Sequence, residues 1–124
     1  MSLLASYFVA SRDHADAIAR GERPSQVIME DGPALLPTDL GTLQRRMIGR
    51  ESWSPIGDSD EEWLVRLSDD FTFKIASLPD PIGDEVADEL QLSADEVGVV
   101  EIMRRLAVRA NSSTGLAVYI LTTL

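Results

Sequence analysis

Hydrophobic residues fall into seven readable stretches along the chain. Leu3 to Ala10 is apolar at both odd and even positions, the signature of a strand covered on both faces. Ser11 ends it and caps a short helix to about Arg20, with Ala15, Ile18 and Ala19 inward and Gly21 as its stop. Val27 to Met29 reads as a short strand closed by the turn Glu30-Asp31-Gly32-Pro33. Pro37-Thr38 opens the next helix, in which Leu40, Leu43 and Met47 recur at i, i+3 and i+7. Gly41 weakens that helix by about 1 kcal/mol relative to alanine, and Gly49 ends it. From Arg50 to Asp60 the pattern lapses into a loop whose only large apolar residues are Trp53 and Ile56.

The longest pattern runs from Trp63 to Leu92 and admits two readings. In the first, Ser68-Asp69-Asp70 form a hairpin loop, so that Leu67 faces Phe71, Val65 faces Phe73 and Trp63 faces Ile75, all on one face. In the second, Trp63 to Leu67 is a strand and Ser68 caps a helix. Asp69 and Asp70 then lie in its first turn, and Phe71, Ile75, Leu78 and Ile82 make one stripe. Pro79 breaks that helix. Asp80 caps another with Pro81 at its first position, burying Ile82, Val86 and Leu90 and exposing Asp84, Glu85, Asp88 and Glu89. Start and stop signals agree with the periodicity in the second reading, whereas Phe71-Thr72-Phe73 is a poor helix opening. Beyond it, Ser93 and Glu96 form a capping box for a helix to about Ala110, with Val99, Ile102, Met103, Leu106 and Ala110 inward. Arg104, Arg105 and Arg109 sit toward its C-terminus. Leu116 to Leu121 is again apolar on both faces.

These elements predict one α+β domain over residues 1–124: a small mixed sheet of about four strands packed by about five helices, with the N- and C-terminal strands as neighbours. A length of 124 residues suits one hydrophobic core. The absence of cysteine removes disulfides and thiolate chemistry and fits a cytoplasmic protein. No apolar run reaches membrane-spanning length, so no membrane association is expected.

Charge changes this picture more than composition does. The net charge is −10, and between Glu51 and Glu96 lie 14 acidic residues against only Arg66 and Lys74. The middle of the chain thus carries −12 and the remainder +2. Such a surface repels nucleic acid and attracts a basic partner. Solvated helix faces are also commonly acidic, and that is the simpler account.

Candidate chemistry is sparse. His14, the only histidine, lies between Asp13 and Asp16 and could serve a small hydrolase as a general base, but no nucleophile accompanies it. Asp58-Ser59-Asp60-Glu61-Glu62 is oxygen-rich, yet an EF-hand register puts Trp63 where glycine is required and Asp69 where glutamate is required. Asp84, Glu85, Asp88 and Glu89 have the i, i+4 spacing of metal-bridging carboxylates but lack histidines from other helices. No phosphate loop or dinucleotide fingerprint occurs, so no metal, cofactor or catalytic residue is assigned. Trp53 is a candidate interface anchor, a cover for a core edge, or the wall of a small-ligand pocket. The residues favour a non-enzymatic acidic protein-binding domain of the immunity or antitoxin kind. Its candidate contact residues are Asp84, Glu85, Asp88, Glu89 and Trp53.

Three pieces of the chain resemble the YfbM-like group of small bacterial proteins. They are the opening strand with Tyr7-Phe8, the run Trp63-Leu-Val-Arg-Leu-Ser-Asp-Asp through Ile75 and Leu78 to Ala87, and the closing helix with Leu106-Ala107 leading through Gly115 into Leu116-Ala-Val-Tyr-Ile. The resemblance covers about half the chain and implies an α+β fold with strand-helix-helix in the middle. It brings no activity and no site residues.

Overall fold

The two stretches that are apolar on both faces pair with each other at the middle of the sheet. In the computed structural model, which describes residues 4–33, 37–56, 62–79 and 82–123, β1 (Leu4–Ser11) and β5 (Leu116–Thr123) form an antiparallel ladder from Ala5↔Thr122 to Ser11↔Leu116. β4 (Glu62–Leu67) adds to the far side of β5, and β3 (Trp53–Pro55) to β4. β2 (Glu30–Pro33) adds to β1, giving a five-stranded antiparallel sheet in the order β2-β1-β5-β4-β3. Alternation along the central strands sends Tyr7, Val65, Leu67, Val118 and Ile120 into the larger core. Phe8, Ala10, Leu64, Ala117, Tyr119 and Leu121 go to the smaller one. Phe8 and Tyr119 stack there, with centroids 5.5 Å apart.

α1 (Arg12–Ala19) covers the smaller core with Ala15 and Ile18; Ser11 caps it by accepting the His14 N–H. On the opposite face lie α2 (Pro37–Ile48), α3 (Asp69–Ala76), α4 (Asp84–Leu90) and α5 (Ala94–Asn111). Their residues make up the larger core with those of the sheet.

The middle of the chain is strand-helix-helix. Ser68 accepts the Phe71 N–H and caps α3. Phe71 and Ile75 are fully buried, each stabilising the fold by about 2 kcal/mol. That exceeds the few tenths of a kcal/mol per residue by which aromatic and β-branched residues disfavour a helix. Thr72 donates its hydroxyl to the Ser68 carbonyl at 2.7 Å, which satisfies a buried polar atom inside the first turn. Phe73 points outward and is 71% exposed. α3 stops at Ser77, before Pro79, and Arg104 Nε donates to the freed Leu78 carbonyl at 2.7 Å.

Four expectations need correction. The sheet has five strands and is antiparallel at every pairing among the described residues, rather than mixed with about four. The second strand is Glu30–Pro33 rather than Val27–Met29. Val27 and Met29 pack against the smaller core instead. Glu30–Pro33 follows the edge of β1, where Tyr7 donates its hydroxyl to the Pro33 carbonyl. A β-carbon at Gly32 would sit 3.0 Å from Ile102, so α5 crosses closely over a residue without a side chain. Trp53–Pro55 is a strand inside the expected loop; three residues with a serine and a proline carry no alternation to read. α4 begins at Asp84 with Gly83 as its N-cap, and the proposed cap Asp80-Pro81 lies outside the described residues. Ile82 is buried just ahead of it, while Val86 and Leu90 are only partly buried. α5 ends at Asn111, within one residue of the expected Ala110, and has Arg109 in its last turn. Arg105 pairs with Glu30 at 2.8 Å and ties α5 to β2.

Both tyrosines of the chain, Tyr7 and Tyr119, are buried, and burial pushes both phenols above their ordinary range. At Tyr119 the Arg66 and Arg12 guanidiniums oppose that rise. A raised folded-state value means that the neutral phenol is favoured by folding. That stability is complete below pH ~10 and is lost as pH climbs through the folded values. Titration at 295 nm is therefore expected to show less phenolate near pH 10 in the folded protein than in the unfolded chain, with the remaining ionisation at higher pH. A normal transition from either tyrosine in folded protein would contradict this placement.

Candidate functional site

The acidic middle of the chain is divided by the fold into a compensated part and an uncompensated part. The compensated part surrounds Trp53. β3 lies along β4 with Trp53 opposite Leu67 and Ser54 opposite Arg66. Here an open depression of about 680 Å³ is lined by Glu51, Ser52, Trp53, Ser54, Arg66, Ser68, Asp69 and Asp70. A neighbouring one of about 300 Å³ shares Asp69 and runs along Asn111 to Thr114 at the entry to β5. Trp53 is half-buried against the larger core and meets Trp63 edge-on, with centroids 5.3 Å apart at 81°. It therefore covers a core edge and also forms one wall of the depression.

The carboxylates of this depression are all held by arginines of the same chain. Arg45 pairs with Glu51 at 3.0 Å, Arg66 with Asp69 at 3.0 Å, and Arg50 with Asp70. Arg66 is partly buried, lies opposite Tyr119 on β5 and also donates to the Leu67 carbonyl. The Glu51 carboxylate also lies over Gly41, where a β-carbon would come within 1.8 Å of it. The glycine inside α2 thus makes room for the side chain that Arg45 holds.

Gln44 fixes this corner of the molecule. It is fully buried, donates Nε2 to the Ser52 carbonyl and accepts the Ser52 N–H on Oε1, both at 2.9 Å. Its side-chain amide thereby acts like a residue of an adjoining strand. The Ser68 N–H donates to the same Ser52 carbonyl, and the Ile56 N–H bonds the Leu64 carbonyl. Ser52 and Ile56 therefore direct their backbone groups toward β4, which turns those of Trp53 and Pro55 outward. Pro55 has no N–H, so this short edge offers little to an added strand. Gln44 carries its own signal in the sequence, lying between Leu43 and Met47 on the buried face of α2, where a polar residue on an apolar stripe needs a partner.

The uncompensated part is α4. Asp84, Glu85, Asp88 and Glu89 are all exposed and make no ion pair or side-chain hydrogen bond among the described residues. Asp84 and Glu85 occupy the first turn, where the helix dipole favours them; Asp88 and Glu89 have no such support. None of the four lines the Trp53 depression. The expected contact residues thus form two separate groups, linked through the end of α2. Arg46 donates to the Leu90 and Gln91 carbonyls at the end of α4, at 3.2 Å each, while Arg45 and Arg50 reach the acids of the depression.

His14 lines neither depression, and the carboxylate of Asp16 is engaged by Arg12 at 2.9 Å. Asp58, Asp60 and Glu61 lie outside the described residues. Among the described residues no three His, Asp or Glu side chains are grouped to hold a metal ion, and no helix is long and apolar enough to cross a membrane. Comparison with protein-family models, curated proteins and solved structures found no match to the chain.

Replacing Gln44 by Leu leaves the partly buried Ser52 N–H without its partner. The expected cost is about 1–3 kcal/mol, read as a lower urea midpoint with unchanged slope. Loosening of β3 should accompany it as a red shift of Trp53 emission in a Trp63→Phe background. An unchanged midpoint would show that the clasp does not hold the corner.

Proposed function

We propose that the protein is a non-enzymatic binding domain that presents the acidic face of α4 to a basic protein partner. A toxin-immunity or antitoxin-like role is one concrete form of this. The observation that carries the reading is the contrast between two acidic groups on one surface. The carboxylates near Trp53 are matched by Arg45, Arg50 and Arg66, whereas the four on α4 are exposed and unmatched. Exposed ion pairs contribute little to stability, so leaving α4 unpaired costs the fold little. It does leave a local negative field suited to steering a cationic partner.

A second reading has one observation in its favour. The depression beside Trp53 has the size of a small-molecule site, which supports a small-ligand sensor. Its polar, open lining and internally matched charges favour it less than they favour a protein surface. The hydrolase reading built on His14 draws no support from the position of that residue.

The test is affinity capture from cells of the native source, comparing the wild type with an Asp84→Asn, Glu85→Gln, Asp88→Asn, Glu89→Gln variant. All four positions are exposed, so the variant should keep the wild-type circular dichroism spectrum and unfold within about 1 kcal/mol of the wild type. A specific basic protein retained by the wild type, released by salt and lost from the variant is the expected outcome. Equal retention by both proteins would remove α4 as the contact surface.

A further inference from the structure

We infer that the outer face shared by α3 and α5, with Phe73 and Val108 at its centre, is a docking surface for an acidic segment of a protein partner that sets an apolar side chain between carboxylates. The two helices run antiparallel. Asp69, at the start of α3, shares a depression with Asn111 to Thr114 at the end of α5. Arg104, in the body of α5, donates to the Leu78 carbonyl just beyond the end of α3. Phe73 stands one turn after Asp69 and Val108 one turn after Arg104, so each shares the side of its helix that meets the other. The two are also level along the pair, Phe73 between Asp69 and Leu78 and Val108 between Arg104 and Ser112. Phe73 is 71% exposed and Val108 45% exposed. The third large apolar side chain exposed among the described residues, Ile28, lies in a loop. Single exposed apolar residues are ordinary, whereas two facing each other across neighbouring helices form a patch.

Charge supplies the second, independent observation. Among the described residues every arginine except Arg109 is engaged by a carboxylate or a carbonyl of the chain. Lys74, the only lysine, also makes no ion pair or side-chain hydrogen bond among them. These two exposed cations immediately follow Phe73 and Val108 in the sequence. The acids nearest Phe73 on α3, Asp69 and Asp70, are held by Arg66 and Arg50, and the last acid of α5, Glu101, lies two turns before Val108. The apolar pair is therefore flanked by unmatched positive charge on a chain whose net charge is −10. An acidic segment meets both cations without displacing an ion pair, and its apolar side chain covers Phe73 and Val108. Two cations are too few to hold a chain of this net charge on an anionic membrane. A second copy on the same face would bring Lys74 and Arg109 toward their own counterparts and join two acidic chains. The inference is independent of the role proposed for α4, which lies elsewhere and carries the opposite charge.

The test follows amide chemical shifts of the full chain at about 0.15 M salt as a synthetic helix-forming peptide of about 15 residues is added. The peptide carries a leucine stripe flanked by glutamates. Saturable shifts around Phe73 and Val108 are expected, at least about ten-fold weaker when serine replaces the leucines or lysine replaces the glutamates. Phe73→Ser, and separately Lys74→Glu with Arg109→Glu, should each weaken binding by about ten-fold. All three positions are exposed, so these variants should keep the wild-type circular dichroism spectrum. The charge-reversed variant should in turn bind the leucine–lysine peptide at this face. No saturable shift here, or one that survives Phe73→Ser, would overturn the inference. Dimerisation in sedimentation that Phe73→Ser abolishes would assign the face to a second copy. Binding to phosphatidylglycerol vesicles that the same substitution abolishes would assign it to a membrane, and either result would overturn the acidic protein segment.

Discussion

The pairing of β1 with β5 is the constraint on which the rest of the molecule hangs. Every other strand joins the sheet through one of these two: β2 through β1, and β4 with β3 through β5. Both are covered on both faces, so neither core can close until they meet. The partners are remote in sequence, with Ser6 opposite Leu121. Closing that loop costs entropy before burial compensates it, which slows folding relative to a local helical arrangement. It also explains why the two strands hold the chain's two tyrosines, Tyr7 and Tyr119, together with Phe8 and Ile120, all at or near zero exposure. Large apolar surfaces must converge where the ends of the ladder are farthest apart in the chain.

Around that centre, polar interactions act mainly to place the periphery. The Tyr7 hydroxyl holds β2, the Gln44 amide holds the start of β3, and Arg105 joins Glu30 to α5. Both sheet edges are short and include a proline, Pro33 on one side and Pro55 on the other. Neither edge is suited to strand addition, which leaves the side-chain surfaces. On those surfaces charge is sorted. The last turns of α2 and the loop after it send Arg45 and Arg50 to the acids near Trp53 and Arg46 to the end of α4. The outer face of α4 receives none of them.

Much of the fold could be read from the residues because burial repeats with the geometry of each element. The existence of all five helices was legible, and at α1, α3 and α5 the caps agree with the stripes: Ser11, Ser68 and Ser93 are N-caps, and Gly21 and Gly49 follow helix ends with positive φ; only the start of α4, at Asp84 behind Gly83, was not. The adjacency of the terminal strands followed from their two-sided apolar pattern. The hairpin alternative for residues 69–78 lost because Phe71 and Ile75 bury fully from a helix, an outcome local propensity alone did not favour. The edge strands were illegible for a definite reason. An edge strand only four or three residues long, EDGP or WSP, is positioned by its neighbour's hydrogen bonds and by α5 above it, not by its own periodicity. The candidate site was legible in composition only. Sequence places fourteen acids in one segment but does not say which of them an arginine from another element will reach.

That sorting bears on what kind of recognition suits the molecule. If the acids near Trp53 were the contact surface, a partner's cations would have to displace Arg45, Arg50 or Arg66, exchanging one ion pair for another with little net gain. Under the proposed role the exchange on α4 would be different. Nothing would be displaced, because no arginine of the chain among the described residues holds Asp84, Glu85, Asp88 or Glu89. Discrimination would then follow charge, since a neutral or anionic surface of equal shape gains nothing from carboxylates that lack a partner. The contrast between matched and unmatched acids is therefore what the proposed reading depends on, more than the total charge of the segment.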